Sequence, residues 1–230
     1  MRKLDYLAII PDGNRRFAKK HALTTTNGYA QGFKKTEEVI KWIGETEAKK
    51  ATFWALSLDN LTKRSSLELK ILFKLMENKL KQTLKTHELV ENGIKTTFFG
   101  KTQLLPTSTR ELINKIAEKT QDGTQLELSI ALAYNGREEI VNAANKIAEE
   151  YKKGTIKKVD EEAFQKYLYY EHSPDLVIRT GDSPRLSGLM PWQTIYSELY
   201  FSKKLWPEFN KQEFNNAVNF FYETDSRKGK

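Results

Sequence analysis

Two clusters of charged and polar side chains each follow a short apolar run, and the first lies near the start of the chain. It reads Pro-Asp-Gly-Asn-Arg-Arg-Phe over residues 11–17, directly after the apolar residues 6–10. The carboxylate of Asp12 suits a hard cation, Gly13 lets a ligand approach the backbone, and two arginines at the start of a helix suit phosphate. We expect an anion site here, and the alternative is a turn that only caps a helix.

The second cluster covers residues 175–187 and has a similar layout. Arg179 and Arg185 flank a glycine turn, and the hydroxyl of Ser187 follows closely. These groups suit charge-assisted hydrogen bonds to a diphosphate, whereas the alternative is a surface turn with solvated arginines. Ligands of an open parallel sheet bind beyond the carboxyl ends of its strands. Two clusters at the same edge of one sheet would form a single site.

Several common kinds of site are excluded by what the sequence lacks. It contains no cysteine, so disulfides, iron–sulfur clusters, thiolate zinc sites and cysteine nucleophiles are absent. It also has neither the Gly-x-x-x-x-Gly-Lys-Ser/Thr phosphate loop nor the Gly-x-Gly-x-x-Gly dinucleotide motif. Kinase, NTPase and dehydrogenase functions are therefore disfavoured, and catalysis must rest on carboxylates, arginines and an oxygen-bound metal.

The net charge favours anionic partners. The 230 residues carry 38 Lys and Arg against 30 Asp and Glu, a formal charge of +8. A nucleic-acid binder is one alternative, but the lysines occur as scattered pairs without a basic helix or stripe. We therefore expect phosphorylated small molecules and no nucleic acid. The first apolar run is too short for a signal peptide or a membrane span, which predicts a cytoplasmic protein.

The elements that must position the two clusters follow from the apolar patterns. Runs of apolar and β-branched residues predict strands near residues 6–10, 51–57, 94–99, 126–134, 176–180 and 199–201. Apolar residues at three-to-four spacing predict helices near residues 33–43, 69–92, 110–121, 138–151 and 207–222. This alternation predicts a single α/β domain over residues 1–230, with a central, mostly parallel six-stranded sheet flanked by helices.

On these residues the chain resembles the cis-prenyltransferase family, the undecaprenyl diphosphate synthase-like enzymes. The resemblance covers nearly the whole chain and is most specific over residues 175–201. The matching segments are residues 9–14, Ser57 with Asn60, residues 134–140 and residues 175–201. The fold implied by the resemblance is the α/β fold that the alternation predicts.

The resemblance also implies an activity. Enzymes of this family ionise an allylic prenyl diphosphate with the help of Mg²⁺, and isopentenyl diphosphate attacks it to form a cis double bond. By resemblance, Asp12 holds Mg²⁺ on the leaving diphosphate and Glu198 is a second carboxylate of the metal site. Arg16 and Asn60 complete the catalytic set. We expect Asn60 to orient the acceptor, because an amide is a poor base.

Other positions match the family's substrate pockets or its assembly. The resemblance implies contacts to the two diphosphates and the prenyl chain from Gly13, Asn14, Arg15, Phe17, Thr25, Tyr29, Ser57, Leu61, Lys63, Arg179, Arg185 and Ser187. Leu69, Leu72, Phe73 and Met76 are candidates for the wall of a prenyl tunnel, with an ordinary core stripe as the alternative. The tail over residues 227–229 resembles one that reaches across a homodimer. The lipid product implies peripheral membrane association.

Some positions depart from the family pattern. Thr25 and Tyr29 stand where the family has an arginine and a histidine, Leu61 replaces a tryptophan, and Lys63 or Arg64 stands where an arginine is usual. Donor length, acceptor identity and regiochemistry therefore stay open. An ordinary chain-elongating enzyme is one interpretation, and non-head-to-tail condensation or another acceptor is a second. A silent subunit of a heteromeric prenyltransferase is a third, although the retained carboxylates and arginines argue against it.

Overall fold

A computed structural model describes residues 3–224 of the chain. The tail expected to cross a dimer, residues 227–229, lies outside these residues. The strands are β1 (Tyr6–Ile10), β2 (Lys50–Ser57), β3 (Ile94–Phe99), β4 (Leu126–Tyr134), β5 (Leu176–Arg179) and β6 (Glu198–Phe201). Each lies within about one residue of a run that the sequence predicts.

The helices connect successive strands or follow them. They are α1 (Asn14–Lys20), α2 (Thr25–Gly44), α3 (Leu58–Lys63), α4 (Ser66–Thr86), α5 (Glu88–Glu91), α6 (Thr107–Thr120), α7 (Gly136–Lys152), α8 (Glu161–Gln165) and α9 (Lys211–Glu223). Within residues 3–224, no helix has the combined length and apolar character that crossing a bilayer requires.

The six strands form one sheet in the order β3-β4-β2-β1-β5-β6, and every pairing between neighbours is parallel. All five residues of β1 are buried. A parallel strand covered on both faces needs such a continuous apolar run, which is why the run was visible in the sequence. The predicted α/β class, with a parallel six-stranded sheet flanked by helices, is confirmed.

Alternate residues of β1 pack into the two sides of the core. Leu7 and Ile9 join the cluster that contains Trp206 and Phe214, whereas Tyr6, Ala8 and Ile10 join the cluster on the opposite face. Successive side chains of a strand point to opposite faces. One strand therefore anchors both layers of helices and loops.

The predicted helix over residues 69–92 is interrupted. α4 ends at Thr86, and His87 adopts a left-handed backbone with φ of 57° before the short helix α5 begins. A left-handed residue cannot continue a right-handed helix, so the chain changes direction there. The apolar spacing alone did not reveal this break.

Small residues let α1 pack very closely on α2. A Cβ atom added to Gly28 would lie 2.6 Å from the backbone oxygen of Asn14 and 2.8 Å from the Cβ of Ala18. At Gly32 the nearest atom to an added Cβ would be Oδ1 of Asn14, at 2.3 Å. The two glycines of α2 therefore fix the position of the loop and helix that follow β1.

We predict that Gly28→Ala lowers the free energy of unfolding by about 1–3 kcal/mol, because the added methyl group meets backbone that cannot move away. Gly44→Ala on the same helix is the matched control, since nothing lies within 4 Å of a Cβ there. The control should be neutral or stabilising by up to about 1 kcal/mol. Urea unfolding of both variants measures the difference, and equal stabilities would contradict the close-packing argument.

Candidate active site

The charged clusters meet at the carboxyl edge of the sheet, where β1, β2 and β5 are neighbours. The chain leaves β1 toward β2 on one side and later returns to β5 on the other side, so β1 lies at the point where the strand order reverses. Such a switch point is the usual ligand site of an open parallel sheet. The loops after these three strands carry most of the polar residues of the site.

The Asp12 carboxylate lies between two arginines. Its Oδ1 is 3.1 Å from an amino group of Arg16, and its Oδ2 accepts a hydrogen bond of 3.0 Å from Arg179. The Oγ1 of Thr180 donates to the backbone oxygen of Asp12 at 2.8 Å and accepts from its N–H at 3.0 Å. The loop after β1 and the loop after β5 are thereby held together.

Arg179 is a buried cation, with a side chain only 5% exposed. Besides Asp12, it donates to Oγ of Ser187 at 2.6 Å and to the backbone oxygen of Arg185. Its Nε is buried and has no hydrogen-bond partner among the described residues. A buried donor without a partner is costly, so an anion at this place would complete the coordination of the guanidinium.

Gly181 lets the Arg16 side chain cross the loop after β5. Its backbone is left-handed with φ of 87°, and an added Cβ would lie 2.4 Å from an amino group of Arg16. The Arg16 guanidinium also donates to the backbone oxygen of Gly181 at 2.6 Å. The glycine turn seen in the sequence is therefore required to hold one of the two arginines beside Asp12.

The loop after β2 supplies a second side of the site. The Oγ of Ser57 accepts the backbone N–H of Asn60 at 3.0 Å, which caps the start of α3. Asp59 in the same turn accepts from Nδ2 of Asn135 at 3.2 Å, and the ion pair with Lys63 holds the pKa of the Asp59 carboxyl below its usual value. The three-residue spacing of Ser57 and Asn60 is thus the spacing of a helix cap, and both residues also line the site.

Glu68 interacts with three side chains on the other side of the site. It accepts a hydrogen bond of 2.6 Å from the hydroxyl of Tyr29, and it lies 3.4 Å from Arg64 and 3.8 Å from Arg15. The Arg64 guanidinium also lies 5.5 Å from the centre of the Tyr29 ring. Burial and the bond to Glu68 raise the pKa of Tyr29 to about 12. Tyr29 is therefore a neutral donor that holds Glu68 beside two arginines.

A cavity of about 1160 Å³ leads from this cluster along the sheet. Its lining includes every second residue of β4, namely Leu126, Leu128, Ile130 and Leu132. Lining that alternates in this way follows one face of the strand over its length, roughly 20 Å from Leu126 to Leu132. The volume exceeds the roughly 300–1,000 Å³ of most small-ligand sites. The site therefore joins an anion pocket to a long apolar channel.

Ten of the residues predicted for the site line this cavity. They are Asp12, Gly13, Asn14, Arg15, Arg16, Tyr29, Ser57, Asn60, Arg179 and Ser187. Of the four tunnel candidates, Leu72 and Met76 line the cavity, whereas Leu69 and Phe73 do not. Asn14 also keeps a buried Oδ1 without a partner among residues 3–224.

The structure does not bring Phe17, Thr25, Leu61, Lys63 or Arg185 to the cavity lining. Phe17 packs on the His21 ring with centres 4.4 Å apart, and Leu61 packs into the core beside α4. Thr25 is exposed in the first turn of α2. The Lys63 side chain is 75% exposed and pairs with Asp59, and Arg185 is exposed although its backbone oxygen binds Arg179.

Glu198, the second carboxylate expected at the metal site, lies away from Asp12 of the same chain. It is the first residue of β6 and pairs with Leu176, whereas Arg179 pairs with Phe201 at the other end of the strand. The three residue steps from Glu198 to Phe201 in a parallel strand span about 10 Å. Glu198 is therefore at the amino end of its strand, away from the edge that carries Asp12.

Several of the residues that line the cavity were missing from the predicted set. Arg64 lines the cavity in place of its neighbour Lys63, and Asp59 and Asn135 line its mouth. The signal for Asn135 was present, because it directly follows a predicted strand, as Asp12 does. Within residues 3–224, no group of three or more His, Asp or Glu side chains could hold a metal ion. A metal at Asp12 would therefore complete its shell with substrate and water oxygens, as Mg²⁺ commonly does.

The chain is similar to known proteins over nearly its whole length. Residues 10–229 match the Prenyltransf family model, which describes undecaprenyl diphosphate synthases. Two curated relatives are named tritrans,polycis-undecaprenyl-diphosphate synthase (geranylgeranyl-diphosphate specific). The protein of Thermoplasma acidophilum is 37% identical over 98% of this chain and 88% of its own length, and that of Archaeoglobus fulgidus is 38% identical over 93% and 86%.

The solved structures include a similar fold. Lavandulyl diphosphate synthase from Lavandula x intermedia, in complex with dimethylallyl diphosphate, superposes with a TM-score of 0.93 at 30% identity and covers 98% of both chains. The protein is thus an enzyme that transfers prenyl groups. With a family model matching nearly all of its length, it belongs to the undecaprenyl diphosphate synthase family.

We predict that Arg64→Ala weakens the binding of inorganic diphosphate roughly 10- to 150-fold, which corresponds to the loss of about 1.5–3 kcal/mol for a hydrogen bond to a charged group. Lys63→Ala removes the adjacent cation, which is exposed and outside the cavity, and should change the affinity less than about threefold. Titration calorimetry with inorganic diphosphate measures the affinity of each variant. A larger loss in Lys63→Ala than in Arg64→Ala would restore Lys63 to the site.

Proposed function

We propose that the protein condenses an allylic prenyl diphosphate with isopentenyl diphosphate to form a cis, head-to-tail product. The observation that carries this proposal is one cavity of about 1160 Å³ that joins an anion pocket, with a carboxylate and several arginines, to an apolar channel. A lipid diphosphate has this same division into a charged head and an apolar chain. A catalytically silent subunit would not need to retain both the anion pocket and the apolar channel.

In this reaction the C–O bond of the donor breaks, a carbon–carbon bond to the acceptor forms, and the acceptor loses one proton. The departing diphosphate gathers negative charge, so fixed cations beside it lower the barrier. Arg15, Arg16 and Arg64 surround the mouth of the channel and would bind the donor head. The buried Arg179, with Ser187, would bind the acceptor diphosphate and keep it beside the donor.

Asp12 would hold Mg²⁺ together with oxygens of the bound diphosphate. A bound Mg²⁺ supplies neutralisation of the charge on the leaving group. Asp12 faces Arg16 and Arg179, and in the proposed reaction both guanidinium groups would also bind phosphate oxygens of the substrate. Asn60, fixed by the Ser57 cap, would orient the acceptor, and the proton would pass to a diphosphate oxygen or water.

The size of the channel is an argument about the chain length of the donor. The two curated relatives are named as specific for geranylgeranyl diphosphate, and an apolar channel along the sheet suits a donor of that length. The similar fold of the lavandulyl diphosphate synthase with dimethylallyl diphosphate favours a second candidate, an atypical condensation of short allylic units. We favour the long donor because the channel extends far beyond the space that a five-carbon chain fills.

The assembly we propose is a homodimer formed through the β6 side of the sheet. β6 is an edge strand, and the residues before it, Ile195 and Tyr196, are 74% and 68% exposed. An edge strand beside exposed apolar side chains is a common docking surface. The apolar product would carry the enzyme to the membrane surface as a peripheral protein.

We predict that the purified protein with Mg²⁺, labelled isopentenyl diphosphate and allylic donors of graded length elongates the geranylgeranyl donor most efficiently. Asp12→Asn should lower kcat roughly 10³-fold, because the carboxylate that holds the metal is lost. Asp182→Asn is the matched control, since this exposed residue lies near Arg179 but outside the cavity lining. Mass analysis of the products over time measures the donor preference and the turnover of each variant. Near-normal turnover of folded Asp12→Asn would contradict the proposal. Products that join only short units would favour the second candidate.

We also predict that Ile195→Asp dissociates the homodimer, because a charge in an apolar interface loses its water without gaining a partner. Leu104→Asp should leave the dimer intact, since Leu104 is an exposed apolar residue too but lies beside β3, at the opposite edge of the sheet. Light scattering at micromolar concentration gives the mass of each variant. A monomeric wild-type protein would rule out the proposed assembly.

A further inference from the structure

The outer face of α4 carries a row of lysines. Lys70, Lys74, Lys81 and Lys85 are all exposed, and we call these four residues the α4 lysine stripe. With 3.6 residues per turn, they fall within about 60° of one another around the helix and span about 22 Å along it. They are four or seven positions apart in the sequence. The expectation that the lysines form no basic stripe is therefore wrong for α4, because the stripe exists only once the helix forms.

Little negative charge lies near the α4 lysine stripe. Every exposed charged residue of α4 is a lysine, whereas its two acidic residues, Glu68 and Glu77, are half-buried. Glu77 accepts hydrogen bonds from Ser108 and Thr109 of α6, so its carboxylate is turned away from the stripe. Those hydrogen bonds and the charge of Lys81 lower the pKa of Glu77. Within residues 3–224, none of the four stripe lysines forms an ion pair.

The neighbouring helix α6 does not share this pattern. It exposes Glu111 and Glu118 together with Lys115 and Lys119, so charges of both signs alternate on its surface. Lys119 also donates to the backbone oxygen of Leu84 at 3.1 Å, which adds one more cation beside the end of the stripe. An extended surface of one sign attracts partners of the opposite sign. The stripe therefore suits an anionic partner that is itself extended.

An exposed leucine continues the stripe toward the mouth of the channel. Leu67 falls on the same face of α4, one turn before Lys70, and it is 68% exposed. The next residue, Glu68, binds Tyr29 and Arg64 at the mouth. Helices that bind a bilayer surface combine apolar groups, which enter the headgroup boundary, with lysines, which meet lipid phosphates. Nucleic acid is also anionic, but it offers no apolar layer for this leucine.

The opposite face of α4 forms a wall of the channel. Leu72 and Met76 are buried on that face and line the cavity. They belong to the same apolar cluster as Leu132 of β4. Because β4 and β6 lie in different halves of the sheet, the stripe is separate from the β6 side, where we propose that the dimer forms. A partner on the stripe would leave the dimer surface free and lie alongside the channel.

We propose that the α4 lysine stripe, with Leu67 at its start, docks the protein on the headgroups of an anionic bilayer. The inference deepens the peripheral membrane association given under the proposed function, and it rests on that function for the lipid nature of the product. On the membrane, the lysines pair with lipid phosphates and Leu67 enters the boundary between headgroups and acyl chains. The channel then lies beside the phase in which an apolar product dissolves.

Flotation of the full chain with vesicles tests the docking surface. We expect binding to vesicles in which about one lipid in three is phosphatidylglycerol, and none to vesicles of pure phosphatidylcholine. Binding should weaken as salt is added, because ions screen the attraction. The test variant combines Lys70→Gln, Lys74→Gln, Lys81→Gln and Lys85→Gln. Its partition coefficient should fall roughly 100-fold or more, since each lysine near an anionic surface contributes about fivefold.

Four other exposed lysines, at the end of α7 and in the segment after it, provide the matched control. The control variant combines Lys152→Gln, Lys153→Gln, Lys157→Gln and Lys158→Gln. Both variants lower the formal charge by four, from +8 to +4. The control should lose less than about tenfold in partition, because charges away from the contact are screened. Equal losses in the two variants would overturn the stripe as the docking surface. Failure of the wild type to prefer anionic vesicles would overturn it as well.

Leu67→Gln tests the apolar contact separately from the charge. It should lower the partition coefficient roughly tenfold, because a leucine side chain no longer leaves water on binding. This loss should be the same at low and moderate salt, since ions do not screen it. Val141→Gln on α7 is the control, because Val141 is also exposed, at 60%. It should bind like the wild type, and equal binding by both variants would overturn the role of Leu67.

Activity separates the docking surface from the proposed function. With substrates in detergent solution, all these variants should keep the turnover of the wild type, because none of the replaced residues lines the cavity. A protein that condenses prenyl units but does not bind anionic vesicles would contradict the docking surface alone. One that binds the vesicles but forms no product would contradict the proposed function alone. Tighter binding of the wild type to a DNA duplex than to the vesicles, at the same salt, would overturn the membrane as the partner.

Discussion

The position of β1 between β2 and β5 is the constraint on which the site depends. Parallel pairing on both sides brings three loops out at one edge, and the Asp12 carboxylate then meets Arg179, 167 positions away in the sequence. The hydrogen bonds between Asp12 and Thr180 fix the two loops to each other. This arrangement positions the buried guanidinium of Arg179. It also positions the glycine turn that Arg16 crosses and the mouth of the channel.

The strands and the centre of the site could be predicted from sequence for a physical reason. A parallel sheet covered on both faces requires continuous apolar runs, and chemistry at such a sheet requires polar residues directly after those runs. The segments around Asp12 and Arg179 satisfied both conditions. Residue types and order were therefore sufficient to place them at the same edge.

Other features depend on geometry that the sequence does not display. α3 ends at Lys63, and Arg64 turns to an extended backbone at the helix end, so neighbouring cations face different surroundings. Glu198 belongs to a motif close to Arg179 along the chain, but the direction of β6 puts it at the far end of the strand. The break at His87 depends on one left-handed residue within an otherwise regular apolar pattern.

The hydroxyl of Tyr29 has a consequence for how the enzyme responds to acidity. A histidine at this place would change its charge between about pH 5 and 8, whereas Tyr29 stays neutral until its pKa of about 12. The charge that Tyr29 presents to the donor is thus constant across the physiological range. An organism whose internal acidity drifts would keep the same electrostatic attraction for its lipid precursor.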